Sequence, residues 1–353
     1  MNLHELGWNE RTASLFAVFS GEGLRPARVV RADRGEVTVD GEGGPQRAVL
    51  AGRLHRDGLG GPPAVGDWVG LDVDGGSVVV RAILPRISAL CRRRPGAADH
   101  EQVAAANVDL VLIAESPERG PNPRRIERAA ALAWDAGAVP VVVITKIDLC
   151  ENVEAAQARA RQGAPFAEIL AVSATSGSGV EPLRAMLAAG ATAVLLGPSG
   201  VGKSTLANLL LGEARFKVGE VRSIDHRGRH TTSHRELVVV PGGGCLIDTP
   251  GVREIGLWLE AEAVQAAFPE IEEASADCRF RDCRHESEPG CAVLVAMEEG
   301  RIDSDRLASF HRLRREAENL ELRRDQSRRH EVKARERAFG KMTREVMRLK
   351  NKR

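Results

Sequence analysis

Nowhere in the sequence does an apolar run approach the roughly 18 residues that a membrane-spanning helix needs, which excludes helical channels, carriers and single-span anchors. The opening MNLHELGWNE lacks the basic-then-apolar layout of a secretory signal, so a cytoplasmic location is expected. Aromatic residues are scarce at 3% of the chain, and Trp68 is the only one between residues 28 and 92. That stretch therefore has no array of aromatics on which bases could stack. Cysteine is scarce too, six in 353 residues, and without a secretory signal no disulfide framework is expected. Cys91, Cys150 and Cys245 are scattered, whereas Cys278, Cys283 and Cys291 fall close together.

What is present describes a globular chain of two or three domains, 43% hydrophobic and 28% charged. The formal net charge of +1 is unevenly spread, because residues 301–353 hold 18 Lys and Arg against 9 Asp and Glu. A basic arm on a mildly acidic body points to an anionic partner, nucleic acid or a membrane surface, with nucleic acid favoured.

Residues 28–92 carry short runs rich in Val, Ile and Leu, separated by Gly, Asp and Pro: RVVRADRGEVTVDG, RAVLAGRLH, GDWVGLDVD and SVVVRAILP. About five strands in so short a span predict an all-β OB-type barrel. Any RNA contact there is expected to be electrostatic, with Arg92, Arg93 and Arg94 as candidates.

Residues 107–260 alternate nearly continuous apolar strand runs (VDLVLIA, AVPVVVIT, EILAVSA, TAVLLG) with helical stretches. That is the pattern of a parallel α/β sheet covered on both faces. PRRIERAAALAWDAG predicts a helix closed by Gly137, and SGVEPLRAMLAAG one opened by a Ser178/Glu181 capping box. The expected domains are a lead-in over 1–27, the barrel over 28–92, a linker over 93–106 and the α/β domain over 107–260. A mainly helical zinc domain over 261–322 and a basic arm over 323–353 complete the chain. Leu307, Phe310, Leu313, Ala317 and Leu320 mark one apolar helical face of the zinc domain.

GPSGVGKS, residues 197–204, fits G-x-x-x-x-G-K-[ST] after a strand and before a helix, the context that makes it a phosphate loop. Gly197, Pro198, Ser199, Gly200, Val201 and Gly202 supply the turn, and Lys203 faces the β- and γ-phosphates. Ser204 is a Mg²⁺ ligand candidate, and Thr205 after it is a further nucleotide-binding candidate. TKID at a strand end offers Asp148, whose carboxylate can accept from both N1–H and the amino group of guanine, and Lys146, whose stem can cover the base. Ser173 and Ala174 of SAT would bring a backbone N–H to guanine O6, so GTP is favoured over ATP. LIDTPG supplies Asp248 for Mg²⁺ and Gly251 for the γ-phosphate; Thr231 or Thr232, with Thr232 favoured, is the switch I threonine that reaches Mg²⁺. Val252 stands where Ras-like GTPases orient water with glutamine, so intrinsic turnover should be slow, and His230 is the in-chain candidate for handling that water. CRFRDCRHESEPGC places Cys278, Cys283, His285 and Cys291 as a closed Cys3His set, a structural rather than catalytic zinc site.

The order TKID, SAT, GPSGVGKS, GRHTT, DTPGVRE and then a Cys3His cluster resembles the ribosome small-subunit-dependent GTPase A family, as do GDWV and QVAAANVDLVLIA. The resemblance runs from about residue 28 to 300 and implies a circularly permuted GTPase between an OB barrel and a zinc module. It implies GTP hydrolysis stimulated by the small ribosomal subunit late in that subunit's maturation, rRNA contact, Zn²⁺ and Mg²⁺ as metals, and a monomer off the membrane. Thr145 stands where Asn is commoner in GTPases, a departure at the base reader. A nucleotide-gated RNA-binding or chaperone module with incidental turnover is the alternative reading. A small-molecule P-loop enzyme ranks behind both, since no further acid–base constellation accompanies the loop.

Overall fold

The computed structural model of the chain describes residues 2–33, 36–52, 54, 62–74, 77–93, 101–188, 190–216, 235–248, 264–265 and 267–318. The chain divides into two compact units, residues 1–92 with 102–257, and residues 93–101 with 258–353. Among the described residues no helix is long and apolar enough to cross a membrane.

The first unit begins with α1 (Glu10–Phe16), started by the Asn9 side chain, which accepts from the Thr12 N–H. Although its composition reads as a polar lead-in, this segment folds onto the barrel. Trp8 meets Trp68 edge-on at 4.9 Å and Phe16 at 5.8 Å, and Leu6 is buried. The barrel strands are β1 (Arg25–Ala32), β2 (Glu36–Gly41), β3 (Gln46–Leu50), β4 (Trp68–Asp74) and β5 (Ser77–Ile83). β1 pairs with β2, β2 with β3, β3 in parallel with β5, β5 with β4, and β4 again with β1, so the circuit closes. Val29, Val37, Val39, Val69, Leu71 and Val80 fill its core. Closure leaves no free edge, which suits so short a set of strands.

β6 (Ala89–Arg93) and β7 (Glu101–Ala106) come next. The span expected to be a linker therefore holds a strand, and Ala104, Ala105 and Ala106 are fully buried. Arg92 and Arg93 belong to β6, while Arg94 lies outside the described residues.

The α/β part comprises β8 (Leu110–Glu115), α2 (Pro123–Asp135), β9 (Val139–Ile144), α3 (Val153–Gly163), β10 (Glu168–Ala171), α4 (Glu181–Ala188), β11 (Thr192–Leu196), α5 (Lys203–Leu211), β12 (Glu236–Val239) and β13 (Cys245–Asp248). Spatially the strands run β10-β9-β8-β11-β13-β12. All neighbours are parallel except β12, which is antiparallel to β13. Val111, Leu112, Ile113, Val142, Val143 and Val194 are at most 1% exposed, the burial that makes such strands read as unbroken apolar runs. The helix closed by Gly137 forms, with Gly137 at φ 77°. The Ser178/Glu181 capping box does not form: α4 begins at Glu181 itself, which approaches Arg184 at 3.8 Å instead.

One bridge, Arg31 opposite Glu236, joins β1 to β12 and makes the barrel and the α/β sheet continuous. Behind it the Arg28 guanidinium is almost wholly buried. It donates to the carbonyls of Leu6, Gly66 and Asn107, tying the N-terminal segment, a barrel loop and the start of the α/β part together. Burial lowers its pKa, and the neighbouring Cys245, Asp109 and Asp67 oppose that shift.

In the second unit α6 (Pro269–Ser275), α7 (Ala292–Glu298) and a helix over 304–318 surround the cysteine cluster. The apolar face expected on the last helix is buried at Leu307, Phe310, Leu313 and Ala317. Leu320, like the basic arm from 323 onward, lies outside the described residues.

Candidate functional site

Because β8, β9, β10 and β11 are parallel, the loops after them emerge at one edge of the sheet. Ligands of open α/β sheets bind beyond that carboxyl edge. GPSGVGKS succeeds β11 there, TKID succeeds β9 and SAT succeeds β10. Chain order and spatial order differ, so TKID can precede GPSGVGKS in sequence and still lie at the same sheet edge.

The phosphate loop needs its glycines for stated reasons. Gly197 has φ 139°, and a Cβ there would lie 2.4 Å from the Ala114 carbonyl oxygen; Gly202 has φ 101°. Lys203 Nζ donates to the Gly197 and Pro198 carbonyls at 2.7 and 2.6 Å, which holds the ammonium inside the turn. Ser199 and Gly200 are exposed, Val201 is buried, and Ser204 and Thr205 stand half-buried in the first turn of α5. That helix start offers N–H groups and the positive end of its dipole to an anion.

Thr145, the departure from the usual Asn, is 3% exposed. Its N–H donates to the Glu115 carbonyl at 2.8 Å, and its hydroxyl faces two carbonyls, Glu115 at 3.1 Å and Val201 of the phosphate loop. One hydroxyl proton serves one of them at a time, so the side chain ties the base reader to the phosphate loop through a single shared donor. Lys146 adopts φ 53°, turning the chain out of β9. The Ser173 hydroxyl, almost fully buried, donates to Asp148 Oδ1 at 2.5 Å and also accepts from the Ser176 N–H at 3.2 Å. TKID and SAT are thus joined, with the Asp148 carboxylate exposed toward solvent and Ala174 next to the joint.

Two acidic residues that motif reading passed over lie behind this reader. Glu115, at the end of β8, is fully buried and held by Arg125 through bonds of 2.6 and 2.5 Å and by the Asn122 N–H at 3.2 Å. The bond to Glu115 is also what most raises the Arg125 pKa. Glu118, three residues on, bonds Lys146 Nζ at 2.9 Å. The only sequence signal was a carboxylate closing an apolar strand, with Arg125 ten residues later. Asp248 ends β13, and its backbone is in register with Glu236. His230, Thr231, Thr232, Gly251 and Val252 lie outside the described residues.

In the second unit the ligand atoms of Cys278, Cys283, His285 and Cys291 all lie within 4.8 Å of one another. His285 Nδ1 is 3.6 Å from Cys278 Sγ and 3.5 Å from Cys291 Sγ, and those two sulfurs are 3.9 Å apart. A tetrahedron with Zn–S of about 2.3 Å and Zn–N of about 2.0 Å has S–S edges near 3.8 Å and S–N edges near 3.5 Å. The residues fit a structural zinc ion.

His285 reaches this position with φ 61°, and its carbonyl accepts from His311 Nε2 at 3.1 Å. Burial, helped by Arg314 and His311, lowers its pKa. Burial and the neighbouring thiols push Cys283 up to about 12. At Cys278 burial pushes upward as well, but hydrogen bonds from the Val293 and Ala292 N–H groups and with the Cys291 and Cys283 thiols together bring the pKa down. Glu288, accepting from the N–H groups of Arg284, Ser287 and Glu286, fixes the loop between the ligands and has its pKa held at about 2.

With this geometry in view, the comparisons with known proteins are consistent. The model of the RsgA GTPase family matches residues 83–258. The small ribosomal subunit biogenesis GTPase RsgA of Streptomyces coelicolor is 43% identical over 98% of this chain and 96% of its own. Its namesake from Syntrophotalea carbinolica is 42% identical over 91% of each chain. The crystal structure of YjeQ from Thermotoga maritima superposes with a TM-score of 0.64 at 28% identity, covering 83% of this chain and 98% of that one. The crystal structure of YloQ, a circularly permuted GTPase, superposes with a TM-score of 0.62 over 85% of this chain and 97% of its own; at 23% identity it bears on the fold alone. Similarity of this depth over nearly the whole length places the chain in the RsgA GTPase family.

Proposed function

We propose that this chain is a cytoplasmic GTPase of small ribosomal subunit biogenesis, which binds rRNA on the subunit with GTP loaded, hydrolyses it when the subunit stimulates it, and then leaves. The observation that carries the reading is the Thr145 hydroxyl between the Glu115 and Val201 carbonyls, which fastens a guanine reader to a phosphate loop. Relatives over 90% of the chain and more carry the name of a small-subunit biogenesis GTPase, in support of the process.

In this reading Asp148 accepts from guanine, the Ala174 N–H meets O6, and Lys203 leaves its loop carbonyls for the β- and γ-phosphates. Ser204, Asp248 and one of Thr231 and Thr232 would hold Mg²⁺, which supplies charge neutralisation across the β- and γ-phosphates. His230 is the candidate that orients the attacking water, and Thr232 is the second catalytic candidate. Val252 cannot hydrogen-bond water, so turnover without the subunit should be slow. Cys278, Cys283, His285 and Cys291 would hold one structural Zn²⁺, with no position left for a catalytic water. The functional division we propose keeps the barrel over 28–92, the GTPase domain over 107–260, the zinc domain over 261–322 and the basic arm over 323–353, in a chain acting as a monomer.

The test is GTP hydrolysis measured alone and with small subunits, large subunits or free RNA. Selective acceleration by small subunits is expected. Binding to small subunits without acceleration would instead support the alternative, a nucleotide-gated RNA-binding module.

A further inference from the structure

We propose that Glu118 is a positioning residue for guanine-nucleotide binding, holding the Lys146 side chain as a strap beside the base slot. The proposal rests on reading residues 145–148 as the guanine reader and adds a residue outside TKID, SAT, GPSGVGKS and DTPG.

Lys146 leaves β9 at φ 53° and passes the phosphate loop, its Cε 3.9 Å from where a Cβ on Gly202 would stand. Its Nζ ends on Glu118 Oε1 at 2.9 Å. The side chain is therefore pinned at both ends, by the backbone of β9 and by the turn after β8.

That turn is itself well held. Residues 117–119 form a single 3-10 turn that starts at Pro117, with the Ser116 hydroxyl accepting from the Glu118 N–H at 3.3 Å and Gly120 leaving it at φ 68°. Just upstream, Glu115 is clamped by Arg125 and gives its carbonyl to Thr145. The segment from 115 to 118 thus touches both residues that open TKID, Thr145 through a carbonyl and Lys146 through a carboxylate.

A free lysine side chain samples many rotamers, and covering a base would mean giving that freedom up on binding. An ion pair already formed in the free protein removes part of that loss in advance. The Lys146 side chain is 29% exposed and that of Glu118 50% exposed, so the pair contributes little to folding stability. Its effect should appear in nucleotide affinity and leave the melting temperature unmoved. The pair is also reachable by salt, so the effect should fade as ionic strength rises.

The experiment measures GDP and GTP affinity and GDP release on the full chain for wild type, Glu118→Gln, Lys146→Met and the double variant, at low salt and near 1 M salt. Glu118→Gln is expected to weaken both nucleotides about three- to tenfold at low salt, with faster GDP release. In turnover the loss should sit in KM rather than kcat. Near 1 M salt the gap to wild type should shrink, and in the Lys146→Met background the second substitution should add nothing further. Unchanged GDP affinity at low salt, or an equal additional loss in the Lys146→Met background, overturns the proposal. Failure of the guanine reading shows separately, as an Asp148→Asn variant that keeps its preference for GTP over XTP.

Discussion

At the scale of single residues, the proposed base reader would rely on Asp148 for recognition and on Thr145 for placement. Asp148 accepts the Ser173 hydroxyl on Oδ1, a bond that an asparagine oxygen could equally accept. Asp148→Asn should therefore fold and keep its loop, but its amide would face the guanine donors with a donor of its own. Xanthine carries a carbonyl where guanine has the amino group, so the variant should bind XTP better than GTP and lose GTP affinity by 100-fold or more, on the order seen when a hydrogen-bonding site meets the wrong partner. Competitive nucleotide titration checks this. Thr145→Val keeps the shape and the backbone bond to the Glu115 carbonyl but takes the hydroxyl donor from the Val201 carbonyl, at a cost of about 1–3 kcal/mol. GTP and GDP affinity should fall together, about 5- to 100-fold, and Thr145→Ser should restore most of it. A variant that lost GTP alone would mean the residue acts on the γ-phosphate instead.

At the scale of elements, the Cys3His loop is a small motif whose ligand atoms fit a zinc ion and whose N–H groups are gathered by Glu288. Chelation of the zinc should release one ion per chain and abolish the cooperative unfolding of the second unit, since structural zinc sites supply folding energy directly. Glu288→Ala frees three N–H groups between the ligands. Outer partners of a metal site typically tune affinity by 10- to 100-fold. Zinc competition with a chelating dye should show a loss of about tenfold, and an unchanged affinity would make Glu288 a bystander. The elements most legible in the sequence were those with a local signature: parallel strands apolar on both faces, a helix closed by Gly137, and cysteines at ligand spacing. Less legible were features set by non-local partners. Trp8, with Phe16 against it, meets a barrel aromatic from outside its strands, and the strand over 101–106 carries alanines that composition does not distinguish from a linker. Glu115 and Glu118 acquire their roles only because the sheet sets β8 beside β9, a pairing no spacing rule announces. At the base reader itself, Thr145 broke the expected pattern, and the contact that explains it spans 56 positions to Val201.

At the scale of the whole molecule, the permuted order decides which segments the switches lead into. With TKID placed before GPSGVGKS, DTPG comes after both and leads in sequence to the zinc ligands and then to the basic arm. Residues 323–353 hold 13 Lys and Arg against 4 Asp and Glu, the densest positive charge of the chain. If that arm grips rRNA phosphates, its contribution is electrostatic and measurable without knowing which nucleotides it meets. Each phosphate neutralised adds roughly 0.7–0.9 to the slope of log affinity against log salt. A chain truncated after residue 322 should bind small subunits more weakly at low salt and show a slope shallower by several units. Its GTP affinity should match that of the full chain, because no nucleotide-binding motif lies in the arm. Subunit binding measured over a salt series with both chains decides the matter. Parallel lines, offset or not, would mean that the arm's charge does not reach RNA and that the grip lies elsewhere in the chain.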